Sequence, residues 1–243
     1  MGYTTVDLVP GKQVVKGASF VTVGDDELSI QDIKMQGVDL GEGDTQIWWW
    51  NGSTYDAMAF WFSDLYADES GETTLGYAGW GDGEYWMPVN KTFAPGEAFW
   101  IKVSDTVTSA SATMAGQIAT TSSTEQYYGI PLTPGAQVQM TNPFPTGDLG
   151  LQSVKIEGVD LGEGDAQIWW WNGTTYDAMA FWFSDLYADE SGETTLGYAG
   201  WGDGEYWMPV NKTFTEGEGF WVKVSDTVTS ATLKFPNPFY VAP

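Results

Sequence analysis

The chain has 243 residues, and its 33 acidic and nine basic residues give a formal net charge of −24 at pH 7. Every basic residue is a lysine, and histidine and cysteine are absent, so disulfides, thiolate chemistry, Ser-His-Asp triads and His-ligated zinc are excluded. The acidic excess argues against nucleic acid and anionic membranes as partners, and no apolar run approaches the ~20 residues that would insert into a membrane.

A tandem duplication dominates the sequence. Residues 37–93 and 158–214 differ at only two positions, where alanine and threonine in the second copy replace Thr45 and Ser53. A period this long is typical of two domains in series, because solenoid repeats have about 20–50 residues. We therefore predict three segments: unit 1 at 1–118, a Thr/Ser-rich linker at 119–126 and unit 2 at 127–243.

Each unit begins with segments that have the composition and alternation of β-strands. In the first unit they are Thr4 to Val9, Lys12 to Lys16 and Leu28 to Val38, with a turn at Pro10-Gly11. Residues 41–44, Gly-Glu-Gly-Asp, predict a loop before the next strand.

The central feature is an aromatic hairpin around Asn51-Gly52, which recurs around Asn172. A two-residue loop pairs Trp50 with Ser53 and a four-residue loop pairs it with Tyr55, and both registers predict the same two faces. Face one comprises Trp48, Trp50, Tyr55, Ala57, Ala59 and Trp61. Face two comprises Ile47, Trp49, Asp56, Met58, Phe60 and Phe62. We expect face two to lie in the core, and face one to need a cover or a ligand.

The long segment 63–92 predicts one helical turn with Ser63 as N-cap, followed by a glycine-rich loop that is functional or tightly packed. The unit closes with a second hairpin, in which Phe99, Ile101 and Val103 face inward. Six to eight strands per unit predict an all-β fold of two antiparallel β-sandwich or partly open barrel domains. The proline-rich tail after Leu233 either completes its own sheet or docks on another molecule.

The loop at 79–86 interleaves acids with glycines, a pattern that can wrap a hard cation such as calcium through oxygen ligands. Its candidate metal ligands are Asp82 and Glu84, with Asp203 and Glu205 in the second copy. The alternative is a structural turn whose tryptophans cover face one of the hairpin. We expect no resident cofactor, with calcium the one metal that the loop could hold.

Tryptophan-rich surfaces bind sugars, because the apolar face of a pyranose stacks on an indole while amides bind its hydroxyls. The alternative is that Leu75, Tyr77, Trp80 and Trp86 fold over face one as a second small core. The candidate ligand-binding residues are Trp48, Trp50, Tyr55, Trp61, Trp100, Trp169, Trp171, Tyr176, Trp182 and Trp221.

Catalysis would have to use carboxylates, as in glycoside hydrolysis. The candidate acids are Asp56, Asp64, Glu69, Asp82 and Glu84. With 33 acidic residues in the chain, two neighbouring carboxylates are expected by chance. We therefore predict that the chain is not an enzyme.

The order Asn-Pro-Phe-Pro at 142–145, a hairpin strand, and Gly-Glu-Gly-Phe-Trp-Val at 217–222 resembles β-rich repeats of large secreted or surface proteins of bacteria. The resemblance implies a fold type and an extracellular or cell-surface location. The first copy departs from it, with Lys-Gly-Ala-Ser-Phe at 16–20, and no site residue is carried over.

Three functional hypotheses follow. The first is a non-catalytic structural or adhesive surface protein that associates with copies of itself. The second is a tandem carbohydrate-binding module whose partner is a cell-surface or extracellular polysaccharide. The third is a carboxylate glycoside hydrolase. No secretory signal precedes the first strand, and Met1-Gly2 reads as a start added to a mature chain.

Overall fold

A computed structural model describes seven stretches of the chain, residues 2–38, 45–55, 57–118, 124–159, 165–172, 174–176 and 178–242. The predicted loop at 41–44, the aspartate at 56 and most of the predicted linker lie outside these stretches.

The predicted all-β class is confirmed. In unit 1 the strands are β1 Gly2–Leu8, β2 Gln13–Gly17, β3 Leu28–Ser29, β4 Ile33–Gln36, β5 Thr45–Trp49, β6 Ala57–Phe62, β7 Gly79–Gly81, β8 Thr92–Phe93, β9 Ala98–Val103 and β10 Ala110–Gly116. In unit 2 they are β11 Tyr127–Leu132, β12 Gln137–Met140, β13 Leu149–Gly150, β14 Lys155–Glu157, β15 Ala166–Trp170, β16 Ala178–Phe183, β17 Gly200–Gly202, β18 Thr213–Phe214, β19 Phe220–Val224 and β20 Ala231–Pro236.

The only helical segments in the described residues are the 3-10 turns Ile30–Asp32 and Leu151–Ser153. The helical turn predicted at Ser63 is wrong, because Asp64 instead accepts a hydrogen bond from the Gly76 N–H at 2.7 Å. None of the described helical segments has the length and apolar character needed to cross a membrane.

The chain divides into two compact units, Met1–Thr120 with Pro143–Pro145, and Thr121–Asn142 with Thr146–Pro243. In unit 1 a five-stranded antiparallel sheet has the order β2-β9-β5-β6-β7, a three-stranded sheet the order β1-β10-β4, and β3 pairs with β8. Unit 2 repeats this pattern with β12-β19-β15-β16-β17, β11-β20-β14 and β13-β18. The domain boundaries drawn from the sequence stay predictions.

The C-terminal tail belongs to the sheet of its own unit. Its residues as far as Pro236 lie in β20, which pairs with β11. The next residue, Asn237, donates from its backbone N–H to the Gln126 carbonyl at 2.9 Å and from its amide to the Glu125 carbonyl at 2.7 Å. These bonds continue the attachment of the tail beyond the end of the strand.

One hydrophobic core joins the two larger sheets of unit 1. The three-stranded sheet contributes Ile33 and Met114, and the five-stranded sheet contributes Ile47, Phe99 and Ile101. Their alternation with exposed residues is the pattern expected when one face of an antiparallel sheet is buried. The inward orientation predicted for Phe99, Ile101 and Val103 is confirmed.

The predicted faces of the central hairpin are wrong on its second strand. Ile47 pairs with Ala59 and Trp48 with Met58, so the loop between the strands is one residue longer than the longest one considered. A shift of one residue moves every side chain of a strand to the opposite face. Trp61 therefore lies in the core, and Met58, Phe60 and Phe62 share a face with Trp48.

The buried end of the five-stranded sheet is held by the side chain of Gln31. Its amide donates to the carbonyls of Trp80 at 2.6 Å and Val89 at 3.1 Å, and accepts from the Trp80 N–H at 3.1 Å. Gln152 makes the same three bonds in unit 2. The Gln31 amide thus pairs with the N–H and carbonyl groups of Trp80 in the short strand β7 and with the carbonyl of Val89.

We expect Gln31→Ala to lower the free energy of unfolding by about 3 kcal/mol, because it leaves backbone polar groups without partners. Urea denaturation followed by circular dichroism measures this effect. The control is Gln36→Ala, which removes an exposed amide from β4. Equal effects of the two substitutions would contradict the role assigned to Gln31.

Candidate ligand-binding face

The five-stranded sheet of unit 1 has a second side, opposite the core, which we call the outer face. It consists of Gln13, Val15, Gln46, Trp48, Met58, Phe60, Phe62, Trp100 and Lys102, as the strand registers require. Across the sheet, Val15, Trp100 and Trp48 lie in one row, and Gln13, Lys102 and Gln46 lie in the next.

Trp86 covers the outer face at its Phe62 end. Its ring stacks on Phe62 at 4.8 Å and 18° between planes, and on Tyr66 at 5.4 Å and 23°. Trp86 has a φ of 58°, in the left-handed region that bulky residues seldom adopt, and Trp207 repeats this with 56°. Such strain persists only where the surrounding packing enforces it. The stack between Phe62 and Tyr66 is packing of this kind.

The prediction that the loop covers face one is confirmed only for the contact of Trp80 with Trp61, since Trp86 lies on Phe62, a residue predicted for face two. Trp80 is fully buried on the core side, where it packs against Trp61 with ring centroids 5.3 Å apart. Leu75 and Tyr77 are exposed. The loop thus closes the Phe62 end of the outer face and leaves the Trp48 end open.

At the open end lies a pocket of about 420 Å³, lined by Gln13, Trp48, Tyr55 and Trp100. Trp48 and Trp100 are neighbours across β5 and β9. The ring of Tyr55 stands edge-on to Trp100, with centroids 6.3 Å apart. The volume lies within the range of about 300–1,000 Å³ that is typical of small-ligand sites.

Tyr55 is placed by the turn that precedes it. The side-chain oxygen of Asn51 accepts hydrogen bonds from the Ser53 and Thr54 N–H groups, both at 2.9 Å, and Gly52 adopts a φ of 101°. This Asx turn adds the residue that lengthens the hairpin loop. Tyr55 therefore leaves the strand and its ring contacts Trp50, with centroids 5.2 Å apart.

The structure brings together three of the five residues predicted for the unit 1 site, Trp48, Tyr55 and Trp100. Trp50 lies beside them through its contact with Tyr55. Trp61 is buried on the opposite side of the sheet, so its predicted place beside Trp48 is wrong. Gln13 was not among the residues predicted for the site, because the only indication of it in the sequence is the alternation of side chains along strand β2.

The counterparts in unit 2 differ in exposure. Trp171 is 47% exposed and contacts Tyr176, whereas Trp221 is 8% exposed. Trp169 pairs with Trp221 across the sheet, as Trp48 does with Trp100. Trp182 is buried on the core side of the sheet like Trp61, so it does not lie beside Trp169 as predicted.

The acidic loop uses its aspartate to hold its own backbone. Asp82 accepts hydrogen bonds from the Glu84 N–H at 3.2 Å and the Tyr85 N–H at 2.6 Å, and Asp203 does the same for Glu205 and Tyr206. A hydrogen bond and the negative charge of Glu84 raise the pKa of Tyr85 above its ordinary value. The described residues contain no group of three or more acidic side chains placed to hold a metal ion.

We therefore expect calcium and a chelator to leave the melting temperature unchanged. Asp82→Ala should lower the melting temperature because the turn loses its acceptor, while Asp82→Asn should not, since an amide oxygen can still accept. Thermal melts followed by circular dichroism measure both effects. A calcium-dependent rise that Asp82→Asn abolishes would show a bound metal instead.

None of the four described residues that line the pocket is charged, so their chemistry is that of ring stacking and hydrogen bonding. Indoles and a phenol ring stack on apolar ring faces, and an amide exchanges hydrogen bonds with hydroxyls.

Comparison with known proteins places the chain in no family: no family model matches it, and no curated protein and no solved structure is significantly similar to it.

Proposed function

We propose that the chain is a non-catalytic carbohydrate-binding protein, and that the first unit binds a neutral sugar chain at the pocket on its outer face. The observation that carries the proposal is the grouping of Trp48, Trp100, Tyr55 and Gln13 around one open space of about 420 Å³. Adjacent indoles on neighbouring strands form a platform on which a pyranose ring can stack.

The charge of the molecule favours a neutral ligand. A net charge of −24 repels acidic polysaccharides, whereas it leaves uncharged sugars unaffected. Gln13 at the edge of the pocket supplies two donors and an acceptor oxygen for hydroxyl groups. Both features match a neutral hexose or pentose polymer better than a uronic acid polymer.

Two of the five acids considered for hydrolysis have a role in the fold. Asp64 and Asp82 accept hydrogen bonds from backbone N–H groups of the long loop, so their carboxylates stabilise the fold. Retaining and inverting glycosidases need two carboxylates on either side of the bond that is cleaved. The described lining of the pocket offers none.

We further infer that each unit is a β-sandwich. The five-stranded and three-stranded sheets of unit 1 share one core, and unit 2 repeats their strand order. A partner that is a polysaccharide outside the cell fits the proposed extracellular or cell-surface location. Attachment to such a polymer would be an adhesive function. Self-association remains a separate prediction, which sedimentation at several concentrations tests.

Native affinity electrophoresis tests the proposal. The full chain is run in gels that contain mixed-linkage β-glucan, xyloglucan, galactomannan or dextran, with polygalacturonate as the acidic control. We expect at least one neutral polymer to retard the chain and polygalacturonate to have no effect. Unchanged mobility in every neutral gel would overturn the proposal, and retardation by polygalacturonate alone would contradict the choice of a neutral ligand.

A further inference from the structure

The four residues that line the pocket in unit 1 have identical counterparts in unit 2, but a neighbour of the pocket differs. Val15 on strand β2 pairs with Trp100, whereas the residue on β12 that pairs with Trp221 is Gln139. This position lies outside the nearly identical stretch of the two copies. A short apolar side chain in one unit is thus replaced by a long amide in the other.

Gln139 is a buried residue on the outer face of unit 2, next to Trp221. It is only 3% exposed, and Trp221 beside it is 8% exposed, while Val15 and Trp100 are both half-buried. Burial raises the pKa of the Tyr176 hydroxyl well above its ordinary value. The buried part of the second platform therefore includes Gln139, Trp221 and the hydroxyl end of Tyr176.

This position is the one that a sugar ring would occupy. In unit 1 the ring of Tyr55 stands edge-on to Trp100 and borders the open pocket. In unit 2 the buried Gln139 lies directly beside Trp221, the counterpart of Trp100, on the same face of the sheet. The side chain of Val15, which takes this place in unit 1, is shorter and extends less far over its neighbouring indole.

We propose that Gln139 closes the aromatic platform of unit 2 to sugar rings, so that the chain carries one open carbohydrate site rather than two. This inference rests on the proposed function for its ligand, but the closure itself concerns only the protein. It makes Val15 and Gln139 the residues that decide whether a unit binds. The duplicated chain would then bind a polymer through one unit and not through both.

Oxidation of indoles by N-bromosuccinimide tests the closure without a ligand. Trp100 and Trp221 lie in different tryptic peptides, 92–102 and 213–223, so their rates are read separately by mass spectrometry. We expect Trp100 to react several times faster than Trp221 in the wild type, and Gln139→Val to raise the rate of Trp221 to that of Trp100. Equal wild-type rates, or no effect of Gln139→Val, would overturn the closure.

Calorimetric titration with cellohexaose, xylohexaose, mannohexaose and laminarihexaose tests the number of sites. We expect one site per chain in the wild type, two in Gln139→Val and none in Val15→Gln, while the control Tyr77→Ala, which changes an exposed residue outside the pocket, keeps one. Two sites in the wild type would overturn this inference and leave the proposed function standing. No binding by any variant would overturn the proposed function, and the oxidation rates would then decide the role of Gln139 alone.

Discussion

Trp48→Ala and Trp100→Ala are each expected to weaken binding of the retained polysaccharide by about 30-fold. The loss corresponds to about 2 kcal/mol, the size found for aromatic residues at the centre of binding sites. The two indoles are neighbours across β5 and β9 and line the same pocket. Removal of either one therefore takes away half of the platform. Affinity electrophoresis at several polymer concentrations gives the dissociation constants.

Tyr77→Ala is the control for these two substitutions. Tyr77 is an exposed aromatic residue of the same unit and lies outside the lining of the pocket. We expect it to bind like the wild type, with melting curves that show all three variants folded. Full retention of the polymer by folded Trp48→Ala and Trp100→Ala would place the binding surface elsewhere on the molecule.

The second large effect concerns stability. Trp80→Ala is expected to lower the free energy of unfolding of unit 1 by about 4 kcal/mol, because it empties the volume of a fully buried indole. The Trp80 ring packs against Trp61, and its N–H donates to the Ile33 carbonyl at 2.7 Å. The substitution therefore also leaves a buried carbonyl without its partner.

Urea denaturation followed by circular dichroism measures this loss. Unit 2 keeps Trp201, which makes the same bond to the Val154 carbonyl, so it serves as an internal reference. We expect a two-phase curve in which unit 1 unfolds at lower urea and unit 2 keeps its midpoint. A single curve shifted as a whole would show instead that the two units unfold together. An unchanged curve would contradict the burial of Trp80.

The alternation of residues in the closing hairpin is enough to predict its faces. Phe99, Ile101 and Val103 lie inside and Trp100 lies outside because no ambiguous turn intervenes within β9. The central hairpin could not be predicted in the same way. Asn-Gly favours two-residue loops, but the Asn51 side chain caps two further N–H groups and lengthens the turn.

The candidate site, like the central hairpin, could be predicted from the local sequence only in part. Trp48 and Trp100 were predictable as outward-facing indoles, but their adjacency depends on the sheet order β2-β9-β5, which joins strands far apart in the chain. Gln13 enters the pocket only through that order. Trp61 was misplaced by the shift of one residue in the hairpin. Long-range pairing and turn geometry, rather than local pattern, decided these positions.

Saturation-transfer NMR tests the proposed site most directly. Aromatic protons of the full chain are saturated in the presence of the hexaose that corresponds to the retained polymer, and the transfer to its ring protons is recorded. We expect transfer to the protons on one face of the sugar ring, and its loss in the Trp48→Ala Trp100→Ala double variant. Transfer of equal strength in that variant, or none in the wild type, would contradict stacking of a sugar on these two indoles.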